Sequence, residues 1–287
     1  MDARPIGIFD SGVGGLTVAK EIHRLLPHES TIYVGDTARV PYGTKTPQQL
    51  MSYSREIIQF LLDKNVKAVV IACGTSSSIT YEQMTKEFPA LPLVDVIRPG
   101  VQACLQTKHT RFGLIATAAT IKSGLFVRFL EEGMGCVGGV PLRPPGGDVV
   151  SRDAQGHVPY EIHARACPLF ASMVEAGLPA NHPALRFATE TYLADLRGKI
   201  DTLVLGCTHY PLLTDALCAV LGDIEFINLG VAAAHAAKEC LKDMPADESN
   251  IPTHSYYVSG PADVFRTTGR VILGEEIGII PTKFTHN

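Results

Sequence analysis

The sequence is short of the features that mark several large classes of protein. No run approaches the roughly 18 consecutive apolar residues of a membrane span, although 46% of the 287 residues are hydrophobic. Positive charge is not in excess: 25 Lys and Arg stand against 29 Asp and Glu, a formal net charge of −4. That leaves no basic footprint for nucleic acid as a main partner. Met1-Asp-Ala-Arg-Pro5 runs straight into a strand-like segment and lacks the apolar core of a signal peptide. The seven cysteines show no framework spacing, no C-x-x-C and no close Cys/His cluster, so neither a disulfide scaffold nor a bound metal is expected. A G-x-G-x-x-G fingerprint is missing too, which argues against a dinucleotide site. A soluble cytoplasmic protein that does not associate with membranes is the expectation.

What is present is an alternation of apolar, strand-like runs with amphipathic helical stretches, the pattern of an α/β protein with mainly parallel sheets. Residues 6–10, 31–35, 66–72 and 91–95 read as four successive strands, with helices over 16–26, 47–64 and 78–87. A second series follows Arg98-Pro99-Gly100, which reads as a crossing between halves. Its strand is 111–116 and its first helix 124–132; residues 137–159, rich in Pro and Gly, read as loop with room for one short strand. Helical character is expected over 160–176 and 184–198, then a strand from 202; apolar runs near 224–229 and 255–259, with helices near 232–242 and 263–273, fit either half. The repetition suggests two related α/β halves facing each other.

Each half contains a buried-type strand ending in cysteine. One run is Ala68-Val-Val-Ile-Ala-Cys73-Gly-Thr, the other Thr202-Leu-Val-Leu-Gly-Cys207-Thr-His. Open α/β sheets build their sites at the carboxyl ends of such strands. A lone cysteine there is more often a small core residue, but each of these is followed by hydroxyl and backbone N–H donors that favour a thiolate. Two thiols suit chemistry that takes a proton from one face of a carbon and returns it to the other. Asp10, ahead of the Gly12-Val-Gly-Gly15 turn, suits a substrate ammonium or proton exchange with a thiol; a capping role fits the same position. The turn Asp36 to Thr44, containing Pro41-Tyr42-Gly43, offers backbone N–H groups to a carboxylate or is an ordinary surface connection. Thr117 and Thr120 bind an anion or cap a helix. His209 polarises Cys207 or is a buried structural imidazole, and Glu175 is a candidate to orient it, on a helical pattern where surface glutamates are common.

The segments Gly7-Ile-Phe-Asp-Ser-Gly-Val-Gly-Gly15, Gly35-Asp-Thr-Ala-Arg-Val-Pro-Tyr-Gly43, Ala72-Cys73, Asp201-Thr-Leu-Val-Leu-Gly-Cys-Thr-His-Tyr-Pro-Leu-Leu213 and Tyr257-Val-Ser-Gly260 span nearly the whole chain. In content and order they resemble those of glutamate racemases, in the aspartate/glutamate racemase superfamily. The resemblance implies two pseudo-symmetric, open, mainly parallel-sheet domains, 1–98 plus 211–287 and 99–210, with the active site in the cleft between them. It also implies cofactor-independent interconversion of L- and D-glutamate, supplying D-glutamate for peptidoglycan. Cys73 and Cys207 would be the two acid/bases, assisted by Asp10 and His209. Ser11, Tyr42, Gly43, Gly74, Thr75, Thr117, Thr120 and Thr208 would line the substrate, a small dicarboxylic amino acid. Family members differ in how they dimerise, so a homodimer is one assembly it admits. Three departures stand out: Gly74 where the family usually has asparagine, Arg98 where it has glutamate, and Ile227-Asn228-Leu229-Gly230 in place of an acidic segment. They keep two other readings open, a paralogue acting on a different amino acid or related small acid, and a ligand-binding regulator without catalysis.

Overall fold

The computed structural model describes residues 1–134, the backbone of 148–151, and 160–284. The chain divides into two compact units, Met1–Val96 with the chain from Gly230 onward, and Ile97–Leu229. The first contains β1 (Ile6–Asp10), α1 (Leu16–Leu25), β2 (Thr31–Gly35), α2 (Pro47–Asp63), β3 (Ala68–Ile71), α3 (Gly74–Glu87) and β4 (Leu93–Asp95). The second contains α4 (Ile97–Gln106), β5 (Arg111–Ala116), α5 (Ala118–Ser123), α6 (Leu125–Gly133), β6 (Asp148–Ser151) and β7 (Tyr160–Ala166). It continues with α7 (Pro168–Glu175), α8 (Pro183–Leu193), β8 (Thr202–Leu205), α9 (Thr214–Leu221) and β9 (Glu225–Asn228). The chain then returns with α10 (Leu229–Cys240), β10 (His254–Val258), α11 (Ala262–Leu273) and β11 (Ile279–Pro281).

The first sheet has the order β11-β10-β2-β1-β3-β4, every pair parallel. The second has the order β6-β7-β5-β8-β9, parallel except for β6, which runs antiparallel along β7. The central strands are apolar because helices cover both faces of a parallel sheet. Val69, Val70 and Ile71 are fully buried, as are Leu203 and Val204; burial of each such side chain contributes about 1.5–3 kcal/mol. Strands β2-β1-β3-β4 and β7-β5-β8-β9 share one topology: a first strand flanked by the second, then two more added on the other side. The two halves seen in the sequence are therefore two copies of one sheet plan.

Three expectations need correction. Residues 160–166 form strand β7, not helix; Pro168 opens α7 at its first turn, where a missing N–H costs nothing, whereas within one continuous helix it would break a hydrogen bond. Arg98-Pro99-Gly100 does lie just past the boundary between the units, Val96 to Ile97, but it is the first turn of α4 rather than a loop. The stretch 211–229 belongs to the second unit rather than the first, because β9 pairs with β8 in register Thr202 to Glu225. The loop expected over 137–159 lies outside the described residues apart from β6. Among the described residues no helix is long and apolar enough to cross a membrane.

Candidate active site

In each unit the chemistry-bearing residues stand at the carboxyl ends of parallel strands. In the first unit, β1 ends at Asp10, which is almost fully buried. Its Oδ2 accepts N–H bonds from Gly12 at 3.0 Å and Gly15 at 3.1 Å. The glycine turn thus spends these donors on the protein's own carboxylate, which differs from a cradle for an external phosphate. Gly15 is required by this closeness: a Cβ there would lie 2.4 Å from the Asp10 Cβ and 2.6 Å from the Tyr33 hydroxyl. Tyr33, on β2, donates its hydroxyl to the Gly12 carbonyl at 2.8 Å. Its pKa is pushed well up by burial, and next by the nearby charges of Asp10 and Cys73.

Cys73 lies two residues beyond β3 and is the N-cap residue of α3, with Gly74 and Thr75 as the first two helical residues, all buried. Its thiol packs in one cluster with Tyr42, Leu50 and Tyr53. Tyr42 sits on the 3-10 turn Tyr42–Thr44, followed by Thr46, which caps α2 reciprocally with Gln49. The Tyr42 hydroxyl donates to Asp36 Oδ2 in a very short hydrogen bond, and burial, then Asp36, raises its pKa. That phenol is committed to Asp36. Ser11 and Gly43 are both partly exposed.

In the second unit, Cys207 lies two residues beyond β8 and is buried together with Thr208 and His209. Its Sγ is 3.6 Å from His209 Nδ1, and His209 Nε2 is 3.1 Å from Glu175 Oε1 at the last residue of α7. A carboxylate only accepts, so Nε2 carries the proton and, in the neutral ring, Nδ1 faces the thiol as an acceptor. Thiol, imidazole and carboxylate thus form a relay able to move a proton at sulfur. Thr117 caps α5, accepting from the Thr120 N–H at 3.3 Å, and the two hydroxyls are 3.0 Å apart. Capping is thus one role that Thr117 fills. Tyr210 donates to the Cys167 carbonyl at 2.9 Å, and burial drives the Cys167 thiol well above its ordinary pKa, unsuited to act as a base.

The departures also acquire places. Gly74, buried at the first residue of α3, brings no side chain to that turn. The Arg98 guanidinium lies 4.8 Å over the Phe129 ring, and Asn228 ends β9. Sequence reasoning passed over Tyr33, whose only signal was a polar tip in an apolar strand. Among the described residues no cluster of three or more His, Cys, Asp and Glu could hold a metal ion.

Parallel sheets with a buried thiol, a carboxylate and a histidine at the strand ends define an acid/base enzyme acting on a small molecule. A family model described as Asp/Glu/Hydantoin racemase matches residues 6–237, and the chain belongs to that family; it is an isomerase. It is 37% identical to the glutamate racemase of Aquifex aeolicus over 273 residues, 95% of each chain, and 38% identical to that of Geobacter metallireducens, covering 97% of this chain and 96% of the other. The solved structure of glutamate racemase from Francisella tularensis in complex with D-glutamate superposes with a TM-score of 0.84 at 31% identity, covering 99% of this chain and 98% of the other.

Proposed function

We propose that this chain interconverts L- and D-glutamate by a two-base mechanism, with Cys73 and Cys207 as the bases. The observation that carries the reading is the equivalence of the two thiols within the repeated sheet plan. The N–H of Ala72 donates to the Phe9 carbonyl at 2.9 Å, and that of Gly206 to the Ile115 carbonyl at 2.7 Å. In each unit the cysteine is the next residue, beside the first strand of the plan.

One cysteine is thiolate and removes the α-proton; the other, protonated, delivers a proton to the opposite face, and the two exchange roles in reverse. Asp10 serves the Cys73 side. His209, held by Glu175, serves the Cys207 side. The backbone of Tyr42–Gly43 and hydroxyls of Ser11, Thr75, Thr117, Thr120 and Thr208 bind the ammonium and carboxylates, which stabilises the carbanionic transition state in a water-poor site. No group beyond these side chains is needed for the proton transfers. The product D-glutamate serves peptidoglycan synthesis on this reading. Incubating the protein with either enantiomer in D₂O, with no pyridoxal cofactor added, tests it: solvent deuterium enters the α-position of both enantiomers as the optical rotation decays to zero. Retention of the α-proton in both would reject the assignment.

A further inference from the structure

The turn that carries Tyr42 is held by a chain of contacts that ends far along the sequence, at Phe284. Asp36, fully buried, accepts from the Tyr42 hydroxyl, from Arg39 Nε at 2.6 Å and from Ser259 Oγ at 2.7 Å. Arg39 also donates from Nη1 to Glu56 Oε2 at 2.7 Å, bridging the turn to α2. Its Nη2 meets no hydrogen-bond acceptor among the described residues; instead the guanidinium carbon lies over two rings, 4.0 Å from the centre of Tyr53 and 5.1 Å from that of Phe284. Phe284 is itself seated edge-on against Phe60 of α2 at 5.7 Å. Tyr53 and Tyr42 pack in the same cluster as Cys73.

We propose that Arg39 and Phe284 are positioning residues for the racemisation, resting on the reading above that Tyr42–Gly43 binds substrate and Cys73 is a base. Phe284 presses the guanidinium onto Tyr53. The guanidinium fixes the Asp36 carboxylate, and Asp36 fixes the Tyr42 ring in the cluster it shares with Cys73, and with it the backbone of the turn. A planar, forked cation is needed, since it must stack on two rings and reach two carboxylates at once; lysine offers neither property. An aromatic face is needed at 284, because a ring quadrupole attracts the cation where an aliphatic side chain of similar bulk does not.

Three full-length variants test this: Phe284→Leu, Phe284→Tyr and Arg39→Lys. For each, kcat and KM are measured with both glutamate enantiomers, the rate of Cys73 alkylation by iodoacetamide is followed by peptide mapping, and Cys207 alkylation serves as internal control. Phe284→Leu and Arg39→Lys should raise KM about tenfold with kcat changed much less, the signature of lost substrate positioning. Cys73 alkylation should accelerate in both and Cys207 alkylation should not. Phe284→Tyr, which restores the ring, should match the wild type. Unchanged KM and unchanged Cys73 alkylation in the first two would overturn the proposal. So would a Phe284→Tyr protein as impaired as Phe284→Leu, since that would make 284 a matter of packing alone. A wild-type protein inert toward glutamate would remove the substrate assignment, and the selective change at Cys73 would still decide the clamp.

Discussion

At the scale of single residues, the relay Cys207–His209–Glu175 joins groups from two elements that a linear reading can only nominate separately. Cys207 and His209 were legible as neighbours in sequence. Glu175 was legible as a candidate to orient His209, on a helical pattern where surface glutamates are common, and its 3.1 Å contact with His209 depends on where α7 ends. Glu175→Gln should lower kcat about tenfold with a smaller change in KM, because a group that orients a ligating or proton-moving imidazole is worth one to two orders of magnitude; steady-state kinetics checks this. Ser76 makes a prediction of opposite sign. Its hydroxyl is fully buried on the first turn of α3 with no hydrogen-bond partner among the described residues. An unsatisfied buried hydroxyl costs about 1–3 kcal/mol, so Ser76→Ala should raise the thermal midpoint, measured by circular dichroism, and leave turnover unaltered.

At the scale of elements, strands whose faces are both buried announced themselves as unbroken β-branched runs: 6–10 and 31–35 formed where the pattern placed them, and Ala68–Ile71 formed within the expected 66–72. β7 escaped because Tyr160, His163, Ala164 and Cys167 also satisfy helical spacing. The decisive signal was Pro168, tolerated only at a helix start. The Pro99-Gly100 pair marked the crossing between units but not its helical conformation, because proline is as much at home in the first helical turn as in a loop. Gly100 is needed there because a Cβ would sit 2.2 Å from Leu229 Cδ2. Gly206, between β8 and Cys207, is more constrained still, since a Cβ would lie 2.7 Å from the Ile115 carbonyl oxygen and 2.9 Å from the Ala116 Cβ. Neither neighbour is a flexible tip that can move aside. Gly206→Ala should therefore destabilise the protein by about 1–3 kcal/mol, read from chemical denaturation.

At the scale of the whole molecule, the sequence disclosed two α/β halves but misplaced the return of the chain, because residues 211–229 are apolar enough to pack in either. Only the pairing of β9 with β8 assigns them. Global stability also carries a pH signature. His23 and His254 stack with ring centres 3.7 Å apart and share the Thr31 hydroxyl, each at 2.9 Å. Burial, and next the neighbouring His254, lowers the His23 pKa to about 3; burial also lowers that of His254. A histidine depressed in the fold but ordinary when unfolded contributes nothing to pH dependence above about 6.5. Below that value the unfolded chain takes up the proton first, so stability falls by up to about 1.4 kcal/mol per pH unit for such a group until the folded pKa is reached. His23→Gln should flatten the loss of thermal midpoint between pH 6.5 and 4.

The repeated sheet plan matters to function only if both of its thiols take part in the reaction. Racemisation rates of Cys73→Ser and Cys207→Ser, each started from L-glutamate and from D-glutamate, measure that directly. Serine at either position should abolish racemisation in both directions, a loss of at least about 10²–10⁴-fold expected for removing a general base, because an ordinary hydroxyl is too weakly acidic to supply one near neutral pH. A Cys207→Ser or Cys73→Ser protein that racemised either enantiomer at the unmodified rate would contradict the two-base mechanism.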